Sequence, residues 1–231
     1  MNTVARPFVR RRAVIISRRI AVALALICVG QIVGLGVLVR DNFAHQETIR
    51  RQDDEIRRLK ERLRVLEVIE DLHTNLTPEE ETSLAAHVDQ CSRSYGFDPL
   101  LLLAIIQVES SFGPRAISCK GARGLMQVKP STARAEVTRL GWEWSGDNNL
   151  FEPVLNVRVG IEYLSKLVLK FGSVEKALIA YNHGETAVRG WLSEGLSLPQ
   201  AYLRRVQREY RRLQFRYDPT ACPDFVGPPS P

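Results

Sequence analysis

The 231-residue chain has no acidic residue in its first 40 positions, only 4 cysteines and 2 methionines, and no window in which β-branched residues alternate with polar ones. Each shortage excludes something. Without two-residue alternation there is little from which to build strands, and an all-α fold is expected. Cys28, Cys91, Cys119 and Cys222 are scattered with no compact ligand spacing, which disfavours a thiolate metal site. The acid-free N-terminus holds Arg6, Arg10, Arg11, Arg12, Arg18, Arg19 and Arg40, and these account for the formal charge of +6, because the rest of the chain has 25 basic and 26 acidic residues. A nucleic-acid-binding surface on the body of the protein loses its main support. The length allows one substantial core plus an accessory segment.

Beside those arginines lies a run of 20 uncharged residues, Ile20 to Val39 (IAVALALICVGQIVGLGVLV). At about 1.5 Å per helical residue this matches a hydrocarbon core of about 30 Å, so residues 20–39 should span a membrane. A cleaved signal peptide is the competing reading, but its apolar run is usually about 7 to 15 residues long. Asn42-Phe43-Ala44 also makes a poor cleavage site, and bulky Ile27 precedes Cys28 where a lipidation signal would have a small residue. An uncleaved anchor is therefore expected. The basic residues 1–19 would stay in the cytoplasm, leaving the remainder beyond the inner membrane, in the periplasm.

Residues 44–75 are rich in charge and free of Gly and Pro. Ile49, Ile56 and Leu63 recur every seven residues, with Leu59 and Leu66 between them, while Gln52 and Glu70 interrupt the seam. This coiled-coil-like helical spacer is either a solvated single helix or a short parallel homodimer contact through residues 49–66.

From Thr77 to Tyr217 the punctuation is helical. Thr77-Pro78-Glu79-Glu80 offers a cap, a first-turn proline and a glutamate three residues after the cap; Gly96 closes that helix and Asp98-Pro99 opens the next. Val157, Ile161, Leu164, Val168 and Phe171 step by four and three before Gly172, and Leu203, Val206, Tyr210 and Leu213 repeat the rhythm. Residues 218–231, with five prolines, should be irregular.

One segment, LLLAIIQVESSF (Leu101 to Phe112), ends an apolar run with a carboxylate, Glu109. At the last turn of a buried helix, both the helix dipole and the low-dielectric surroundings disfavour the ionised form, so Glu109 should stay protonated long enough to donate. That suits a general acid for a leaving oxygen. A frayed, solvent-facing helix end would place the same residue in water, with no special chemistry.

The segments downstream of Glu109 bear on that choice. The chain continues ESSFGPRAISCKGARGLMQVKPSTA, then NLFEPVLNVRVGIEYL, then AYNHG, then AYLRRVQREYRRL. In order and spacing these segments resemble the catalytic domain of the soluble lytic transglycosylase family, a lysozyme-like fold that cleaves bacterial peptidoglycan. The resemblance covers roughly Ser83 to Leu213, inside an expected domain of residues 77–217. It implies that Glu109 is the single catalytic residue and that Ser118, Met126, Gln127, Tyr181 and Asn182 contact the glycan. Tyr163 would support packing. Bland readings remain for Met126, Leu125 and Tyr181 as core, and for Gly121 and Gly124 as turn residues.

The family chemistry uses one acid where most glycosidases use two carboxylates about 5 to 9.5 Å apart. Consistent with that, no acid occurs from Ser110 through Ala135. The resemblance implies non-hydrolytic cleavage of the bond between N-acetylmuramic acid and N-acetylglucosamine, giving 1,6-anhydro ends, without metal or organic cofactor. Two alternatives are a hydrolytic muramidase of the same fold and a membrane-tethered module that binds glycan without cutting. Two residues depart from the family pattern: His183 follows Asn182 where alanine is usual, and Lys129 stands where many relatives are apolar. His183 is a packing choice or a second base; Lys129 meets peptide carboxylates of the substrate or only solvent. In an oxidising compartment Cys91, Cys119 and Cys222 allow one disulfide with one thiol remaining, and the sequence does not choose the pair.

Overall fold

Prolines and caps begin most of the helices where the sequence announces them. A computed structural model describes residues 18–72 and 74–218. The basic residues before Arg18, the Pro-rich tail after Asp218 and Cys222 lie outside the described residues. Among those described there are eight α-helices: α1 (Arg18–Asp71), α2 (Pro78–Tyr95), α3 (Pro99–Ser110), α4 (Pro130–Leu140), α5 (Pro153–Phe171), α6 (Val174–His183), α7 (Glu185–Ser193) and α8 (Ala201–Tyr217). A 3-10 turn, Asp147–Phe151, precedes α5. The only β pairing among them is two isolated bridges, Ile117 with Arg123 and Arg123 with Val128. The all-α expectation holds.

The chain divides into two compact units, residues 1–56 and 57–231. In the first, α1 exposes the apolar side chains of Ile20 through Val39 and is long and apolar enough to cross a membrane by length and composition. Ile49 and Ile56 are also exposed. In the second unit, Leu59 and Leu63 are exposed, so this chain leaves their share of the heptad seam uncovered. Val65, Val68 and Ile69 by contrast are buried in the core. The last turns of the expected spacer thus belong to the packing of the globular unit, because these three residues carry an apolar face of their own. Asp71 accepts hydrogen bonds from Arg216 at 2.8 Å and Tyr217 at 2.7 Å, tying the end of α1 to the end of α8.

The globular unit is built around α3. Leu100 through Ile106 are each at most 1% exposed, so this helix is apolar on every side and must be wrapped by others. α8 covers it with Tyr202, Leu203, Val206, Tyr210 and Leu213, each buried side chain worth about 1.5–3 kcal/mol. α5 packs on α2 and α6, and α7 on α6. Capping fixes where these elements begin. Thr77 and Glu80 complete the capping box of α2, Glu152 caps α5 and Ser173 caps α6. Asp98 serves two helices at once: Oδ1 accepts the Leu100 amide at 2.8 Å, and Oδ2 accepts the Tyr210 hydroxyl at 2.6 Å. The start of α3, and hence the position of its far end, is clamped to α8.

Cys91 and Cys119 are both free thiols and are not joined to each other. Cys91 is buried between helices and its thiol is pushed up to about 11 by that burial, while Cys119 sits exposed on the loop after α3. The two sit in separate environments, and no disulfide joins them.

Candidate active site

Glu109 occupies the last turn of α3, and the way that turn ends decides where the carboxyl goes. Three residues without glycine's freedom take left-handed backbone angles here: Ser111 (φ 51°), Phe112 (φ 57°) and, across the cleft, Gln127 (φ 48°). Such angles cost roughly 1–2 kcal/mol each for residues with a Cβ. Phe112 is fully buried, and the ring's burial holds the reversal in place. The chain therefore doubles back directly after Glu109, and the loop it forms becomes the opposite wall of the site.

Burial holds the Glu109 carboxyl above its ordinary range, opposed by a hydrogen bond from Tyr202 and by the Arg205 charge. The Tyr202 hydroxyl donates to Glu109 Oε1 at 2.6 Å, which fixes one oxygen of the carboxyl group. Arg205 Nη2 donates to the Val108 carbonyl at 3.0 Å and so also meets one of the unpaired carbonyls at the end of α3. Tyr202 itself stays a phenol, since burial and the neighbouring Glu109 hold its pKa well above the usual value.

The facing loop is built from its own hydrogen bonds. Ser118 Oγ accepts the Ala122 amide at 3.0 Å and its backbone closes the same turn, while Ser110 Oγ donates to the Leu125 carbonyl at 2.8 Å, stitching the loop to the end of α3. Gln127 turns its side-chain amide inward onto the carbonyls of Ala116 (3.1 Å) and Gly124 (2.9 Å). Asn156, buried on α5, is the central pin. Its Oδ1 accepts the Met126 amide at 2.8 Å, and its Nδ2 donates to the Arg123 and Leu150 carbonyls, each at 2.8 Å. Gly124 (φ 75°) lies against that amide, where a Cβ would collide with Leu150 and Asn156. Tyr181 on α6 donates from its hydroxyl to the Met126 carbonyl at 2.9 Å, and its ring lies 5.6 Å from that of Tyr163.

Between these walls lies a cleft of about 360 Å³. Of the residues expected at the site, Glu109, Ser118, Gln127, Tyr181 and Asn182 line it together. Met126 does not. Its side chain is fully buried and packs where α5 approaches at Gly160, so it acts on the site only through its backbone amide and carbonyl. Tyr163, expected only to support packing, borders the cleft as well. Among the described residues lining the cleft, Glu109 is the one carboxylate.

The family model described as "Transglycosylase SLT domain" matches residues 87–203, just over half of the chain. The chain belongs to this family. A membrane-bound lytic murein transglycosylase C from Mannheimia succiniciproducens is 41% identical over 127 residues, 50% of this chain and 34% of that protein. A transglycosylase from Enterobacteria phage PRD1 is 33% identical over 119 residues, 52% of this chain and 41% of that protein. Among solved structures, an inactive glutamate-to-glutamine mutant of the lytic transglycosylase Slt from Pseudomonas aeruginosa aligns with a TM-score of 0.53 at 26% identity, over 61% of this chain and 25% of that one. The chain therefore spans between a third and about two fifths of the curated relatives it matches, and the shared part is the SLT domain.

Two residues that organise this SLT domain were not singled out from sequence. Tyr202 sits near the end of the family match, 93 positions after the carboxylate it touches, and Asn156 lies 30 positions from the amide it holds. Tyr202 reads as one more apolar residue at the head of the α8 stripe. Asn156 has a clearer signal: a lone amide inside the apolar run PVLNVRVGI, where a buried Asn requires partners. His183 is exposed and meets Trp191 edge to face, ring centres 5.4 Å apart, at the rim of the cleft.

Proposed function

We propose that this protein is an inner-membrane-anchored lytic transglycosylase acting on murein from the periplasmic side. The observation that carries the reading is the solitary Glu109: a carboxyl whose pKa is raised by burial, oriented by Tyr202, in a cleft with no second carboxylate among its described lining residues. The names of its membrane-bound relatives and the apolar helix at residues 20–39 support the substrate and the anchor. The arginines ahead of that helix support the orientation. Exposed Ile49, Ile56, Leu59 and Leu63 support pairing of two copies through residues 49–66, with both chains parallel because both enter the same membrane.

In this mechanism the glycan lies in the cleft with the bond between N-acetylmuramic acid and N-acetylglucosamine at Glu109. Glu109 gives its proton to the glycosidic oxygen, the bond from muramoyl C1 to that oxygen breaks, and the N-acetylglucosamine portion leaves as an alcohol. The 2-acetamido group stabilises the positive charge developing at C1. Glu109, now a carboxylate, takes the proton from the C6 hydroxyl as O6 bonds to C1, which closes the 1,6-anhydro ring and restores the acid. An internal hydroxyl replaces the attacking water of a hydrolase, and its high effective concentration makes a second carboxylate unnecessary. Ser118, Gln127, Tyr181 and Asn182 hold the strand.

Mass analysis of digested sacculi tests this directly. Products ending in 1,6-anhydro sugars are expected; reducing ends would convert the reading to a hydrolytic muramidase, and no products at all to a glycan-binding module. Glu109→Gln keeps the size of the side chain but removes the proton, and turnover should fall by about 10²–10⁴-fold with glycan binding retained.

A further inference from the structure

The lining of the cleft has a charge character that the chemistry at Glu109 does not use. Lys120, on the loop after α3, and Lys129, the residue just before α4, both border it. Both are exposed, and among the described residues neither forms an ion pair. No side-chain hydrogen bond ties Lys129 to the start of α4. The one acid facing the same space is Glu109, whose charged form is disfavoured by burial. Two ammonium groups thus border a single cleft whose one carboxyl group is engaged by Tyr202 and pairs with neither of them.

This concentration is local, since beyond residue 40 the chain has 25 basic and 26 acidic residues. Cations placed along a groove and left unpaired raise its potential and favour an anionic ligand. The sugar rings of a murein strand are neutral apart from the lactyl arm of the muramoyl unit, and the peptide stems hung on that arm carry free carboxylates. We propose that Lys120 and Lys129 are specificity-determining residues that bind stem-peptide carboxylates, so that the enzyme prefers peptide-bearing strands to bare glycan. This rests on the transglycosylase reading above and adds a substrate class to it.

The test compares the full-length protein in detergent with its Lys129→Met and Lys120→Gln/Lys129→Met variants, on three soluble substrates. These are strands bearing peptide stems, the same strands with stem carboxylates amidated, and strands stripped of stems by an amidase, which keep a free lactyl carboxylate. For the unaltered protein at low salt, kcat/KM on stem-bearing strands should exceed that on amidated or stripped strands by about tenfold, and the excess should shrink as salt is added. Lys129→Met should reduce the stem-bearing to amidated ratio about threefold, and the double variant should bring it close to one, with melting temperatures unchanged. A ratio that stays the same in the double variant overturns the proposal. Equal cleavage of stripped and stem-bearing strands also overturns it, by identifying the lactyl carboxylate as the anion recognised. Absence of anhydro products from every substrate would instead remove the transglycosylase reading on which the proposal stands.

Discussion

Replacing Tyr202 by Phe removes one oxygen from the molecule and asks how much of the acid's behaviour that oxygen sets. Its hydroxyl donates to Glu109 Oε1 at 2.6 Å, a bond that strengthens as the carboxylate forms. A hydrogen bond to a charged group contributes about 1.5–3 kcal/mol, and at 1.36 kcal/mol per tenfold change in rate its loss slows the proton-donating step by about 10- to 100-fold. The upper end requires full charge on Oε1 in the transition state, so a loss near tenfold is expected. The sign of the pH effect comes from the same bond. Tyr202 favours the ionised carboxylate and Arg205 does too, both working against burial. Without the hydroxyl, Glu109 holds its proton to higher pH, and the alkaline limb of the kcat/KM profile, which reports the free enzyme's acid, moves upward. Initial rates of anhydro-product release between pH 4 and 9, with thermal melts alongside, provide the measurement. A slower variant whose alkaline limb has not moved, or has moved down, would show that Tyr202 acts only by packing.

Two further outcomes can be checked on the same preparation. For Glu109, the folded protein favours the protonated form relative to the unfolded chain, so the stability this contributes is complete below the ordinary value of 4.5 and is lost as pH rises through the higher folded value. Glu109→Gln should therefore melt above the unaltered protein at pH 8, with the gap closing by pH 4; a gap independent of pH would contradict buried protonation. Gly124→Ala places a Cβ against the Leu150 carbonyl and the Asn156 amide at a φ of 75°. It should cost about 2 kcal/mol or more by urea titration and depress turnover further, because the same loop carries Gln127.

The fold was legible because its signals are local. Thr77 with Glu80, Asp98-Pro99, Gly96 and Gly172 act within one helical turn of themselves, and the helices begin and end at them. The environment of Glu109 was legible for a similar reason, since an acid at the end of a fully apolar helix carries its surroundings in its neighbours. Met126 stayed open between groove and core because the same apolar character fits both, and only the close approach of α5 at Gly160 places its side chain in the core. Tyr202 was hidden because a phenol at a stripe position looks the same whether its hydroxyl meets water or a carboxylate 93 residues away.

The strained backbone around the cleft explains why so much support lies outside it. Ser111, Phe112 and Gln127 hold left-handed angles at a combined cost of roughly 3–6 kcal/mol, a sizeable share of a domain stability of about 5–15 kcal/mol. Burial of the Phe112 ring, whose truncation to Ala would cost about 3–5 kcal/mol, offsets the part between α3 and the loop. The strain at Gln127 has no comparable anchor of its own, as its side chain is only partly buried. It is held instead by hydrogen bonds to Ala116 and Gly124, and by Asn156 and Tyr181 gripping the two ends of the Met126 peptide units beside it. Substitutions at Asn156 should therefore lower turnover more than their effect on melting suggests. They release the wall facing Glu109, while the α3 and α8 core that sets most of the stability stays packed.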